Sequence, residues 1–378
     1  MKSALIRLIK RVLSFFYFLF KYSKKVQIIE DERYNNIFFG YYDVTSFSSS
    51  ENLLTIHGQK YGHKDVDILL YNLQDSSIEV IDSSMAWNYQ QGTRLMWFSS
   101  DELLYNKYDE IKGYYSVIKN INDKSETIIP FPVQALYENS YILSIDYSNL
   151  TEIGTEYGYP HLHQTSYKDS LVYFNLKTSE YSTLFQVTDC VKALTTQFDN
   201  ATKCHFNHFL ISPNGNYFVF IFRFYCNGKR VDNLLGYSLI TNKLDVIVEG
   251  QMVSHCVWRN NEEVLFWGRV DNCPGYFQIN TEEKCINLKY STEKDGHPSF
   301  INNDVILTDT YPDRFLCQTL STINIETGEK NIKLEKKHPA KYSTANRCDM
   351  HPSLSPSKTF YQIDVIEKGK RKVCIGKV

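Results

Sequence analysis

The sequence predicts an all-β fold, a seven-bladed β-propeller of four-stranded antiparallel blades. Apolar and polar residues alternate with a period of two, polar turns recur between the alternating runs, and the resulting hairpins fall into two interleaved series along 378 residues. At roughly 40 to 50 residues per blade, seven blades fill residues 26–378 as a single domain.

The first series supplies the inner strand pair of each blade. It reads GYYDVTSFSSSENLLTIHG from Gly40, RLMWFSSDELLYN from Arg94 and VQALYENSYILSID from Val133. Four further members begin on a histidine: HFLISPNGNYFVF at His208, HCVWRNNEEVLFW at His255, HPSFINNDVILTD at His297 and HPSLSPSKTFYQI at His351. The second series, the outer pairs, starts at Asp67, Tyr114, Leu171, Leu234, Gly275 and Leu320. A seventh outer pair is half present. RKVCIGKV at the end of the chain supplies one strand, and VQIIEDE from Val26 supplies another at the far end. Pairing 26–31 with 371–378 would close the last blade and remove an exposed edge.

Residues 1–25 carry Lys2, Arg7, Lys10, Arg11, Lys21, Lys24 and Lys25 and no acid. Arg7, Lys10, Arg11 and Ser14 share one helical face, with Leu5, Ile6, Ile9, Val12, Leu13 and Phe16 on the rest, so the segment reads as a basic amphipathic helix. Such a helix suits the surface of a membrane. It places the protein in the cytoplasm at the inner face of the cytoplasmic membrane, an export signal or a helix packed on the propeller being the alternatives. The apolar run from Val12 to Phe20 is too short to cross a bilayer.

A net charge of −2 supplies no field for nucleic acid, and no nucleic-acid motif is present. Nine cysteines, an odd number without a CxxC pair, read as free thiols rather than a disulfide framework.

Each of the four histidines stands four residues ahead of its turn, so the repeats would carry them to one ring around one axis. Neutral imidazole is the commonest transition-metal ligand, which makes His208, His255, His297 and His351 candidate ligands for a divalent metal. His205, in the same HFNH segment, is the candidate base. Arg223, Arg314 and Arg347 could clamp a carboxylate or phosphate, and Asp295, Asp309 and Asp349 could orient histidines or arginines. The other reading is structural: a histidine at this position can donate to a backbone carbonyl of the neighbouring blade and fix blade spacing.

Two segments could shape a glycan groove. AWNYQQG offers Trp87, Asn88, Gln90 and Gln91, aromatic faces for sugar rings and amides for hydroxyls, or a packed corner with satisfied amides. TEYGYPHLHQ, in a long connection, offers Tyr157, Tyr159, His161 and His163 as substrate contacts.

The turn Ser212-Pro213-Asn214-Gly215, half repeated at Ser355-Pro356, resembles the Ser-Pro-Asp-Gly turn of TolB-type propeller repeats. With GHPSF, LTDTYPD and RCDMHPSLSP the chain is similar to the oligogalacturonate lyase group of such propellers. That resemblance implies a divalent metal, manganese first, and β-elimination of an acidic, uronate-containing oligosaccharide or polysaccharide. In such a scheme metal and arginine neutralise the carboxylate, His205 takes the adjacent proton, and water or Tyr311 protonates the leaving oxygen. Where the group has Gln-x-x-His-x-His, this chain has Arg347, Asp349 and His351. Three functions stay open: a metal-assisted lyase, a membrane-associated glycosyl-transfer enzyme of surface-polysaccharide assembly, and a non-catalytic propeller binding glycan or protein.

Overall fold

The computed structural model describes residues 26–148, 150, 156–159, 161, 165–195, 204–226 and 229–378. The basic segment 1–25, His163 and the stretch 196–203 lie outside the described residues. The chain packs as two compact units. One comprises the described part of Met1–Met85 with Tyr89–Met96 and Lys294–Val378; the other comprises Ala86–Asn88 and Trp97–Glu293.

In the first unit, strands Asn36–Phe38, Leu53–Gln59, Val66–Asn72 and Ile78–Ser84 form one four-stranded sheet in chain order. Ser299–Phe300, Val305–Thr308, Cys317–Asn324 and Lys330–Lys337 form another. A third has the order Gln27–Ile29, Lys370–Lys377, Phe360–Glu367, Ser353–Leu354. Its edge is closed by antiparallel pairs Gln27 with Ile375, Ile28 with Cys374 and Ile29 with Val373. All neighbouring pairs whose register is known are antiparallel, as hairpin connections require.

The second unit repeats the pattern. Met96–Trp97, Glu102–Asp109, Gly113–Asn120 and Glu126–Ile129 make one sheet; Ala135–Tyr137, Tyr141–Ser144, Ser170–Asn175 and Tyr181–Gln186 make the next. The remaining two are fused into seven strands through Lys243–Trp258, which is 16 residues long and closes one sheet before opening the other. No sequence signal announced that continuity. Register shifts on both sides of Leu234 and a third between Val253 and Cys256 let this strand change partners without ending.

Central strands are buried on both faces, as in Cys317–Asn324, where seven of eight residues are buried, and core layers form between successive sheets. Leu307, Leu320, Ile363, Val365 and Cys374 form one such layer, and Ile37, Leu54, Ile56, Leu69 and Val373 form another. In the second unit Val219, Ile221, Val264, Phe266 and Ile279 do the same. Each fully buried aliphatic side chain contributes roughly 1.5 to 3 kcal/mol. Among the described residues, eight cysteines are free thiols. Among the described residues no helix is long and apolar enough to cross a membrane.

The first innermost strand departs from expectation. It lies at Asn36–Phe38, ahead of the GYYD motif, and the hairpin expected there is reduced to a bridge between Phe47 and Leu54. Gly40, with φ of 131°, breaks the strand just before the two tyrosines.

Candidate metal centre

His297 and His351 each lie two residues before a two-residue inner strand, Ser299–Phe300 and Ser353–Leu354, and a proline follows each. Their rings meet edge to face with centroids 4.5 Å apart. Asp309 organises both. Its carboxylate accepts the His297 backbone N–H at 2.8 Å, the His297 ring at Nδ1 at 2.9 Å, and the His351 backbone N–H at 3.2 Å. Gly296 makes this approach possible, since a Cβ there would stand 2.0 Å from the Asp309 carbonyl oxygen.

Tautomers follow from the partners. His297 Nδ1 faces a carboxylate and His351 Nδ1 faces the Gly40 carbonyl oxygen at 2.9 Å, and neither partner can donate. Both Nδ1 atoms therefore carry the proton, and in the neutral rings each Nε2 holds the lone pair. His351 Nε2 lies 3.9 Å from Asp349 Oδ2. Among the described residues, His297, Asp349 and His351 are the one group of three whose ligand atoms converge, all within 4.8 Å of one another, and all three are buried. Two imidazole nitrogens fixed by acceptors behind them, plus a carboxylate, form a donor set that suits a divalent transition metal and leaves coordination positions open.

Aromatic rings wall the cluster. Tyr41 approaches His351 at 4.7 Å, Tyr42 approaches His297 at 5.2 Å, and Tyr311 approaches His297 at 5.9 Å between ring centroids. Arg347 holds both carboxylate oxygens of Asp349 through Nε, at 2.8 and 2.7 Å, with its guanidinium over the Tyr311 ring at 4.9 Å. His351 adopts φ of 48°, a left-handed conformation that costs a non-glycine residue about 1 to 2 kcal/mol.

No protein-family model matches the chain, and no curated protein does. Solved structures do match. An oligogalacturonate lyase in complex with manganese aligns over 94% of this chain and 98% of its own, at 12% identity and a TM-score of 0.64. The oligogalacturonate lyase of Vibrio parahaemolyticus covers 94% and 96% at the same identity and score. The β-propeller domain of the trilobed protease from Pyrococcus furiosus covers 93% of each chain at 10% identity and a TM-score of 0.51. The fold is a β-propeller.

Within the propeller the histidines form two pairs, one in each unit. In the second unit the His208 and His255 rings lie 5.9 Å apart, and Tyr157 meets His208 edge-on at 4.8 Å. Each of these histidines sits on a break in strand register, between Asn207 and Leu210 and between Val253 and Cys256. His208 shares the left-handed conformation of His351, with φ of 56°. His255 Nδ1 is 3.0 Å from the Ser254 hydroxyl.

Several other expectations need correction. His205 is buried, and burial, with Arg223 and Arg230 nearby, pushes it down to about 3. So weak a base draws protons poorly near neutral pH. Arg223 is committed to Asp232 at 2.5 Å, and Arg314 is an exposed side chain against Phe315. Asp349, expected to orient a neighbour, is itself a candidate ligand, whereas Asp309 does orient His297. Asp295 is half-buried two residues before His297.

The two proposed groove segments largely pack. Gln90 is buried and donates to the Arg347 carbonyl at 2.9 Å, and Gln91 is buried. Asn88 donates to the Tyr157 carbonyl, and Trp87 is half-buried. Tyr159 is fully buried, stacked on Tyr147 at 4.1 Å, so it is a pillar rather than a sugar platform. His161 stacks on Tyr108 at 4.3 Å while its backbone exchanges hydrogen bonds with the Tyr114 hydroxyl. Sequence reasoning missed Gly40, Tyr41 and Tyr42 as site residues. Their only signal was the GYYD motif at the head of the first hairpin.

Proposed function

We propose that this propeller is a carbohydrate-active, lyase-like enzyme that acts on an acidic, uronate-containing oligosaccharide with a divalent metal, manganese first, held by His297, Asp349 and His351. One observation carries the proposal: two buried imidazoles, each fixed through Nδ1 by an acceptor, converge with the buried carboxylate of Asp349, and His351 Nε2 lies 3.9 Å from it. The fold-level likeness to oligogalacturonate lyases, one of them in complex with manganese, supports the same reading.

A divalent ion bound there supplies a Lewis acid that offsets charge building on a sugar carboxylate. The protein's own groups supply the rest. Asp309 keeps the His297 ring in one tautomer and one orientation, and the Gly40 carbonyl does so for His351. Arg347, one fifth exposed and bound to Asp349 through Nε, adds positive charge beside the site for a sugar carboxylate, and Tyr311 lies against it with a hydroxyl suited to proton transfer. Tyr41 and Tyr42 pack their rings against the imidazoles.

The test is the full chain, stripped with chelator and resupplied with Mn2+, on uronate oligosaccharides of several linkages, followed by the absorbance of unsaturated product. The account expects metal-dependent product that His297→Ala abolishes. Metal-loaded protein that forms no unsaturated product from any of them would remove the lyase reading. We further propose that residues 1–25, with seven basic residues and no acid, meet an anionic membrane surface. Co-sedimentation with anionic vesicles should then be lost when they are removed.

A further inference from the structure

Arg371 is the largest fully buried side chain of the described residues, 1% exposed, on the last strand Lys370–Lys377. A buried guanidinium carries a desolvation cost of several kcal/mol, so what it touches is informative. Its Nη2 donates to two backbone carbonyls, Asn346 at 2.8 Å and Arg347 at 2.6 Å. Its face lies over the Tyr89 ring at 4.1 Å. The Arg347 carbonyl accepts a second bond, from Gln90 Nε2 at 2.9 Å. Both lone pairs of that carbonyl are thus engaged by side chains distant in sequence.

The clamped peptide leads directly into the candidate metal centre. Arg347 grips Asp349 through its side chain, and two residues later His351 takes its left-handed conformation. The 3-10 turn Thr344–Asn346 just before it contains no buried residue and so has little packing of its own to fix its end. Resting on the metal reading above, we infer that Arg371 is a positioning residue for that centre. Together with Gln90 it fixes the Arg347 backbone and thereby sets where Asp349 and His351 present their ligand atoms. A role confined to holding the last sheet together would lower stability without altering metal affinity in the folded protein.

The experiment measures Mn2+ affinity by calorimetry and the visible spectrum of the Co2+-loaded protein for the full-length wild type, Arg371→Lys and Gln90→Met, each confirmed folded by circular dichroism. Positioning predicts Mn2+ affinity weakened by about 10- to 100-fold in Arg371→Lys, a smaller loss in Gln90→Met, and an altered Co2+ spectrum in both. Should Arg371→Lys fail to fold, Gln90→Met carries the test, because it frees one of the two bonds on the same carbonyl. Folded variants with wild-type affinity and an unchanged Co2+ spectrum would overturn the positioning role and leave the metal centre standing. A wild type that binds neither ion would overturn the metal centre itself, and the positioning role with it.

Discussion

Asp309 carries more of the candidate site than any other side chain, because one carboxylate receives the backbone of both histidines and the ring of one. Asp309→Asn keeps the size but loses acceptor strength and offers N–H where an acceptor is needed. Mn2+ affinity should fall about 10- to 100-fold with the fold retained, and calorimetry decides it. Gly296→Ala tests the same spot sterically. Its Cβ would collide with the Asp309 carbonyl, so thermal unfolding should show a loss of about 1 to 3 kcal/mol. Buried imidazoles also set a pH dependence. His57 and His338 are pushed down to about 4 and His205 to about 3, mainly by burial. In the unfolded chain they titrate near 6.5, so between there and pH 4 the unfolded state binds more protons, and their stabilisation is lost as pH falls. Asp364 works in the opposite direction, since burial holds its carboxyl well above the usual range. Three imidazoles against one carboxyl predict a urea-denaturation midpoint that falls as the pH drops from 6.5 toward 4. A midpoint that rises over that window would contradict these assignments.

At the scale of elements, alternation and turn chemistry were legible because they are local. The Ser212-Pro213-Asn214-Gly215 turn forms as its residues dictate, with the Ser212 hydroxyl accepting the Tyr217 N–H and the Gly215 N–H bonding the Ser212 carbonyl. Edge closure was legible too, from an unpaired strand at each end, and the pairing of Gln27–Ile29 with Val373–Ile375 gives it a consequence. Removing residues 1–30 strips Ile29 from its core layer and leaves Lys370–Lys377 an open edge. Such a truncation should melt at lower temperature and associate on size-exclusion chromatography, whereas a monomer with unchanged melting would show that the strand contributes nothing. The fused strand Lys243–Trp258 was not legible, because a register shift changes which neighbour a residue faces without changing the alternation that sequence displays.

Across the whole molecule, the candidate site was half legible. His297 and His351 stood out through their common offset from a turn, and in His351 the two readings of such a histidine are compatible: Nδ1 donates to a backbone carbonyl while Nε2 lies 3.9 Å from Asp349. Its partner Gly40 lies 311 positions away, and Arg371 reaches the Arg347 carbonyl from a strand of otherwise ordinary basic residues. Contacts made by backbone atoms and by long-range closure leave no local pattern to read. The most direct measurement is the metal content and Mn2+ stoichiometry of full-length, untagged protein, beside a folded His297→Ala, His351→Ala double variant. The account predicts about one ion per chain in the wild type and none in the variant. A wild type that takes up no divalent metal, or a variant that binds as well as the wild type, would contradict it.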